Sequence, residues 1–372
     1  MAHPLVSLLL AGTLLIALAL PYFDMNKGAA GVSALPEGTE ISAAFDILSR
    51  DFEAGMVAPI EVAVDGDLAD PAISQGIDNL QTLIAESGQF GAVSVETNEA
   101  GDLALLSFPT QVTPDSQQAY ADIALLRNEL IPQAFGNQAD NVYVTGETAY
   151  NVDFREIAET YMPLVFAFVL GLSFIVLTVA FRSLVVPLKA IIMNLLSVGA
   201  AYGALVLVFQ KGHGAELLGF QQTPTIETWL PLFLFSVLFG LSMDYHVFLL
   251  SRIREHYDVT KNNSESVAYG LQSTAKLITG AALIMVAVFS GFATGRLVMM
   301  QQVGFGLAVA VLLDATVVRS VLVPSTMALL GDRNWYLPRM LHWLPNLQIE
   351  GKVHLPELPV PVFTATSTAG DD

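Results

Sequence analysis

The chain has 372 residues, of which 53% are hydrophobic, 14% charged and none cysteine, with a mean hydropathy of +0.56. These values exclude an ordinary soluble enzyme and a disordered chain, and the missing cysteines exclude disulfide staples, thiolate nucleophiles and Cys-ligated zinc. The net charge of −19 is concentrated: residues 24–157 hold 22 acidic against 4 basic side chains, and the remainder 13 against 12. One acidic domain therefore sits among apolar segments, and its field would repel nucleic acid and an anionic cytoplasmic leaflet.

A bilayer core takes about 20 apolar residues of helix, and the first such stretch is residues 1–23. Ala17-Leu18-Ala19 gives it a competing reading as a cleaved signal peptide, although no Lys or Arg precedes the run. Residues 24–157 follow as a domain, read as external. Between Met56 and Gly146 it alternates short apolar strands with helical stretches in the βαββαβ order of a ferredoxin-like unit. Val57 to Val64 reads as a strand. Pro71 to Glu86 reads as a helix with Ile73, Ile77, Leu80 and Ile84 on one face. Val93 to Glu96 and Leu103 to Phe108 form a hairpin, Pro114 to Leu130 a second helix started by Thr113-Pro114-Asp115, and Val142 to Thr145 a closing strand. No histidine, phosphate-cradling loop or Ser/His/Asp set occurs there, so the sequence gives no sign of an enzyme.

Five further spans are predicted within residues 158–331, at about 160–181, 188–210, 228–251, 276–295 and 301–330, with a tail over 332–372. The second-to-third connection carries Arg182 and Lys189 and the fourth-to-fifth carries Arg252, Arg254, Lys261 and Lys276; the other two carry only Lys211 and Arg296. Positive charge stays inside, so both termini are predicted cytoplasmic, with Arg333, Arg339 and Lys352 in the tail and Trp335, Tyr336 and Trp343 at the interface. Gly199-x-x-x-Gly203 and Gly291-x-x-x-Gly295 would allow close helix approach.

Ionisable side chains at membrane depth cost about 2.5 to 3.5 kcal/mol on insertion scales and usually serve function. Asp244 lies in Phe239-Gly240-Leu241-Ser242-Met243-Asp244-Tyr245-His246-Val247-Phe248, about 10 Å before the end marked by Arg252. A carboxyl in low dielectric can take up and release a proton as its surroundings change; the alternative is a structural carboxylate tied to a neighbouring helix. Tyr245 points about 100° away and should reach a different helix. His246 is either a relay or a polar interface contact. Asp314 and Arg319 are five residues apart, which does not stack them on one α-helical face, so each is expected to bond to another helix, Arg319 to Asp244 or Asp314 or by snorkelling to the interface. Thr279 and Ser290 are hydroxyl candidates for a water-mediated path, or bonds to helical carbonyls.

The Gly240-to-Tyr245 segment resembles the MMPL family, the mycobacterial-membrane-protein-large type of the resistance-nodulation-division superfamily. The likeness continues through Phe248-Leu249-Leu250-Ser251-Arg252-Ile253-Arg254-Glu255, Ala281 to Met285, Gly306 to Thr316, Phe181-Arg182-Ser183-Leu184, Val144 to Ala149 and Ala34-Leu35-Pro36-Glu37-Gly38. It implies a six-helix bundle with an external α+β porter-type domain between helices 1 and 2, resembling the C-terminal half of such a transporter. It also implies that Asp244 and Tyr245 form a proton relay, that the proton gradient replaces any cofactor, and that lipids or other hydrophobic molecules leave across the inner membrane. His246 departs from the family, where glutamate is expected. The length departs too, since these transporters usually fuse two halves. A single half implies a homodimer, a separately encoded second half, or a fragment, with Asp of one half meeting Tyr of the other. Two rival readings are a non-transporting accessory or sensing subunit and a protein-export motor of the same superfamily.

Overall fold

The computed structural model describes residues 3–345 except 30, 37 and 53; Glu37, Lys352 and the tail beyond 345 lie outside the described residues. Among the described residues six helices are long and apolar enough to cross a membrane: Pro4–Asp24, Glu147–Phe181, Val185–Gln210, Leu230–Thr260, Asn263–Ala293 and Val298–Trp335. We call them spans one to six. The chain is thus a helical, multi-pass membrane protein.

Strand β1 (Lys27–Gly28) follows span one, and a helix at Glu40–Asp51 with Thr39 as N-cap comes next. That helix was not among the predicted elements, which in this domain start at Val57. Strand β2 (Ile60–Asp65) begins after Pro59, because proline has no N–H for the ladder, and so starts three residues later than predicted. Strands β3 (Ser94–Thr97), β4 (Leu103–Phe108) and β5 (Val142–Thr145) complete an antiparallel sheet in the order β3-β4-β2-β5. Val62 stands opposite both Leu106 and Val144. The buried face, with Ile60, Val62, Val64, Leu106 and Phe108, packs on helix Pro71–Ser87 and on the helical run from Gln117 to Phe135. Asp70 caps the first helix, as its position before Pro71 favours. The second starts at Ser116, whose Oγ accepts from the Ala119 N–H at 3.1 Å; it does not start at Thr113-Pro114-Asp115. Proline at 114 reads as a start signal, but the serine two residues on supplies the better-placed acceptor.

Span two begins at Glu147, well before its apolar run. Gly146 makes the turn into it from β5 at φ +101°, where a Cβ would lie 2.7 Å from the Pro59 carbonyl oxygen. Arg127 binds both carboxylate oxygens of Asp153 and donates to the Val144 carbonyl at 3.2 Å, fixing this extension against the sheet. Asp153 holds the Arg127 guanidinium above its ordinary value.

Spans four and five are separated by two residues only, so the stretch from Arg252 to Lys276 is helix where charge content reads as loop. Arg252–Glu255, Arg254–Asp258 and Lys261–Asp258 pairs line its surface, the i,i+3 and i,i+4 spacing that suits a helix outside hydrocarbon. Strand β6 (Ile226–Glu227) lies between spans three and four and pairs in parallel with β1.

Span one lies against span three, where a Cβ on Gly203 would fall 1.7 Å from the Leu18 carbonyl oxygen and one on Gly199 3.4 Å from Ala19 Cβ. Gly291 has nothing within 4 Å, so the second predicted glycine pair is not a packing seam among the described residues. Gly304 makes the close approach instead: its Cβ would meet Ala293 N at 2.4 Å and Phe289 O at 2.5 Å. Gly304→Ala is therefore expected to cost about 1 to 3 kcal/mol by forcing spans five and six apart, whereas Gly291→Ala leaves stability unchanged or slightly raised. Melting of the detergent-extracted protein, followed by tryptophan fluorescence, checks the contrast.

Candidate functional site

Ser242, Asp244, Tyr245 and His246 occupy little more than one turn of span four and leave it in different directions. Ser242 and His246, one turn apart, are both buried, and Asp244, about 200° from Ser242, is exposed on the flank of the bundle. Tyr245 lies between them: its hydroxyl reaches Met285 Sδ of span five at 3.8 Å, so it does contact another helix.

Span six changes helical type as it passes this turn. Residues Asp314–Leu322 form a π-helix, in which i and i+5 share a turn. Ser320 Oγ accordingly donates to the carbonyl five residues back, at Ala315, 3.1 Å away. The same geometry brings Arg319 onto Asp314, and the two form a buried ion pair, 4% and 6% exposed respectively. The α-helical spacing that speaks against a direct pair does not hold in this segment, so that expectation fails; the expected bonds to another helix are present as well, both to Ser242 of span four. Burial also sets aside snorkelling for Arg319, and its ion-pair partner is Asp314, not Asp244.

Around this pair the polar groups converge. Arg319 Nη2 donates to the Ser242 carbonyl at 3.0 Å, and its guanidinium lies 4.6 Å from the Tyr245 ring centroid. The Ser242 hydroxyl sits 2.5 Å from Asn194 Oδ1 and 2.9 Å from Asp314 Oδ2, and its single proton serves one at a time. His246 Nδ1 is 3.3 Å from the Ser242 carbonyl oxygen. A cavity of about 20 Å³, large enough for one water, is lined by Asn194, Ser197, Ser242, Tyr245, Asp314 and Arg319. On its far side Arg319 borders a cleft of about 400 Å³ that Thr274, Thr279 and Ser320 also line. Thr279 is thus beside the cluster, while Ser290 lies exposed, nearly three turns further along the same helix.

The sequence reading missed Asn194 and Ser242, because a scan for Asp, Glu, Lys and Arg passes over amides and hydroxyls that bury as easily in an apolar run. It also took Lys189 as a connection charge. Lys189 lies within span three, is 9% exposed, and its Nζ donates to Asn334 Oδ1 at 3.0 Å.

Removing one member of a buried pair strands the other charge, whereas removing both does not. Arg319→Leu should thus destabilise by about 3 to 5 kcal/mol, and Asp314→Leu with Arg319→Leu together by much less. Thermal midpoints of the two variants in one detergent give the comparison.

Residues 33–343 match the model of the MMPL family. The chain is 38% identical over 369 residues to the mycolic acid-containing lipids exporter MmpL11 of Mycolicibacterium smegmatis, covering 97% of this chain and 38% of that protein. It is 38% identical over 357 residues to the heme uptake protein MmpL11 of Mycobacterium tuberculosis, covering 94% and 36%. To the trehalose monomycolate exporter MmpL3 of Mycobacterium tuberculosis it is 30% identical over 359 residues, covering 92% and 37%. The chain spans less than half the length of these relatives. A family match over most of its residues, running through both the sheet domain and all but the first span, means that this chain belongs to the MMPL family.

Proposed function

We propose that this chain is one half of a proton-driven exporter that moves lipids or other hydrophobic and amphiphilic molecules out across the inner membrane, with both termini cytoplasmic. The observation that carries the reading is the exposure of Asp244 on the flank of the bundle, beside the buried turn formed by Ser242 and His246. A carboxylate is costly facing hydrocarbon and serves well at the contact with a second half. That half is a second copy of this chain or a separately encoded one, and Asp244 of each half would meet the tyrosine of the other. Asp244 and Tyr245 are the proton relay; the Asp314–Arg319 pair and His246 are its buried surroundings, and Thr279 lines the cleft through which water reaches them.

The sheet order β3-β4-β2-β5, with a helical crossover on each side of the β3–β4 hairpin, supports a ferredoxin-like porter domain outside the membrane. The names of the relatives in Mycolicibacterium smegmatis and of the trehalose monomycolate exporter support a lipid cargo. The heme-uptake name of the Mycobacterium tuberculosis relative favours a second cargo, an amphiphilic tetrapyrrole. A membrane potential supplies about 2.3 kcal/mol per proton per 100 mV, enough to bias two helix packings if binding differs between them.

The test uses the complex recovered from its own membrane, with its native mass measured, and then reconstituted in liposomes under an imposed pH gradient. Trehalose monomycolate transfer and proton flux are expected together, and Asp244→Asn should lower both by about 100-fold with the complex intact. Flux and transfer unchanged by the substitution would remove Asp244 from the role, and heme transfer in place of lipid would reassign the cargo. A monomer in both detergent and native membrane would overturn the two-half reading.

A further inference from the structure

The outer ends of the spans meet the sheet domain at one knot of hydrogen bonds, and a single buried side chain of span six holds it. Gln302 is fully buried. Its Nε2 donates to Thr223 Oγ1 at 3.2 Å and to the Thr225 carbonyl at 3.3 Å, while its Oε1 accepts from the Glu227 N–H at 3.3 Å. Three of its hydrogen-bonding positions are thereby spent on one five-residue strap. That strap is also bound to span one's exit: the Ile226 N–H donates to the Asn26 carbonyl at 2.8 Å, and Thr225 Oγ1 to the Ala29 carbonyl at 3.2 Å. Gly28 of β1 lies where a Cβ would be 3.1 Å from both Thr225 Cγ2 and Tyr120 Oη, so β1 sits close to the strap and to the sheet domain's helix alike.

The other end of the same rod carries the buried charges. Val298–Trp335 is one continuous helical span, and Gln302 precedes Asp314 by twelve residues, about 18 Å along it. A change in the π-helical segment would translate or rotate this rod, and the amide is the point where that movement reaches the strap. Glycine at 304 allows the backbone of span five to lie directly against the rod, with the Phe292 side chain beside the contact.

We infer that Gln302 is a positioning residue that couples the buried Asp314–Arg319 segment to the external domain by holding the Thr223–Glu227 strap. It binds neither proton nor cargo. The inference deepens the exporter reading and rests on it for its consequence: without the amide, protons would move and lipid would not.

Hydrogen exchange of the native complex in nanodiscs tests the coupling without needing transport. In the Gln302 protein, Asp314→Asn is expected to speed exchange of the Thr223, Ile226 and Glu227 amides by about tenfold, the loss of roughly one net hydrogen bond. In Gln302→Leu those amides start fast and Asp314→Asn adds nothing. Thr223→Val, which keeps the glutamine and removes one of its acceptors, should give an intermediate result and serves if the leucine variant does not fold. An equal effect of Asp314→Asn in both backgrounds, or none in either, would overturn the inference. In liposomes, Gln302→Leu should retain proton flux and lose trehalose monomycolate transfer. Loss of both together would make Gln302 merely structural, and absence of proton flux in the unsubstituted complex would instead count against the exporter reading while leaving the exchange result standing.

Discussion

A guanidinium and a carboxylate deep in an apolar bundle must neutralise each other, and the interior of this one is arranged around that requirement. On a regular α-helix, residues five apart are about 140° out of line. Asp314 and Arg319 meet only because span six runs as a π-helix there. The wider turn costs backbone hydrogen-bond geometry, and the ion pair with its bonds to Ser242 offsets that cost. Asn194 of span three then completes the set through the Ser242 hydroxyl. Three helices are thus held in register at one depth by directional contacts, where packing of leucine and valine alone would leave them free to slide.

The spans were legible because a bilayer imposes about 20 apolar residues on any crossing helix. Their true ends were not. Glu147 to Glu159 and Arg252 to Thr260 are helical outside hydrocarbon, where composition is that of a soluble helix and the apolar run says nothing. Strands β2, β4 and β5 were legible from alternation, because one face of the sheet is more buried than the other, whereas β3 is exposed throughout and the two-residue strands β1 and β6 were not predicted. The helix Glu40–Asp51 was not among the predicted elements, although Thr39 caps it and Ile41, Ala44, Phe45 and Leu48 fall on one face. At the site, single charges in apolar runs drew attention to Asp244, Asp314 and Arg319. The partnership of the last two was hidden, because spacing rules presuppose the α-helix that this segment abandons. Asn194, Ser242 and Gln302 were hidden because uncharged polar residues are common in spans and only the fold says which of them face inward.

The outer junction follows the same logic as the buried pair with weaker bonds. Backbone that leaves a helix near the membrane surface must find partners for its N–H and C=O groups. The two-residue ladder between β1 and β6 satisfies a few of them, and Gln210 and Gln302 satisfy others from the neighbouring spans. Lys27–Glu159 and Lys211–Asp24 add ion pairs at the rim, worth little each in water. The sheet domain's seat is therefore held by the Gln210 and Gln302 amides and by the Arg127–Asp153 pair on the extension of span two, more than by these two rim pairs.

The turn from Ser242 to His246 separates two kinds of charge by direction alone. Inward, Asp314 is already paired with Arg319. On the other side of the turn, Asp244 is exposed. The fixed pair holds the buried side of the turn in place. Tyr245 is the side chain common to both, its ring over the Arg319 guanidinium and its hydroxyl directed at span five. A change at Asp244 that shifts span four would therefore be felt by the buried pair through that ring. From the pair two helices lead to the same strap: span six, which carries Gln302, and span four, which Ser242 joins to the pair and which begins at Leu230, three residues after Glu227.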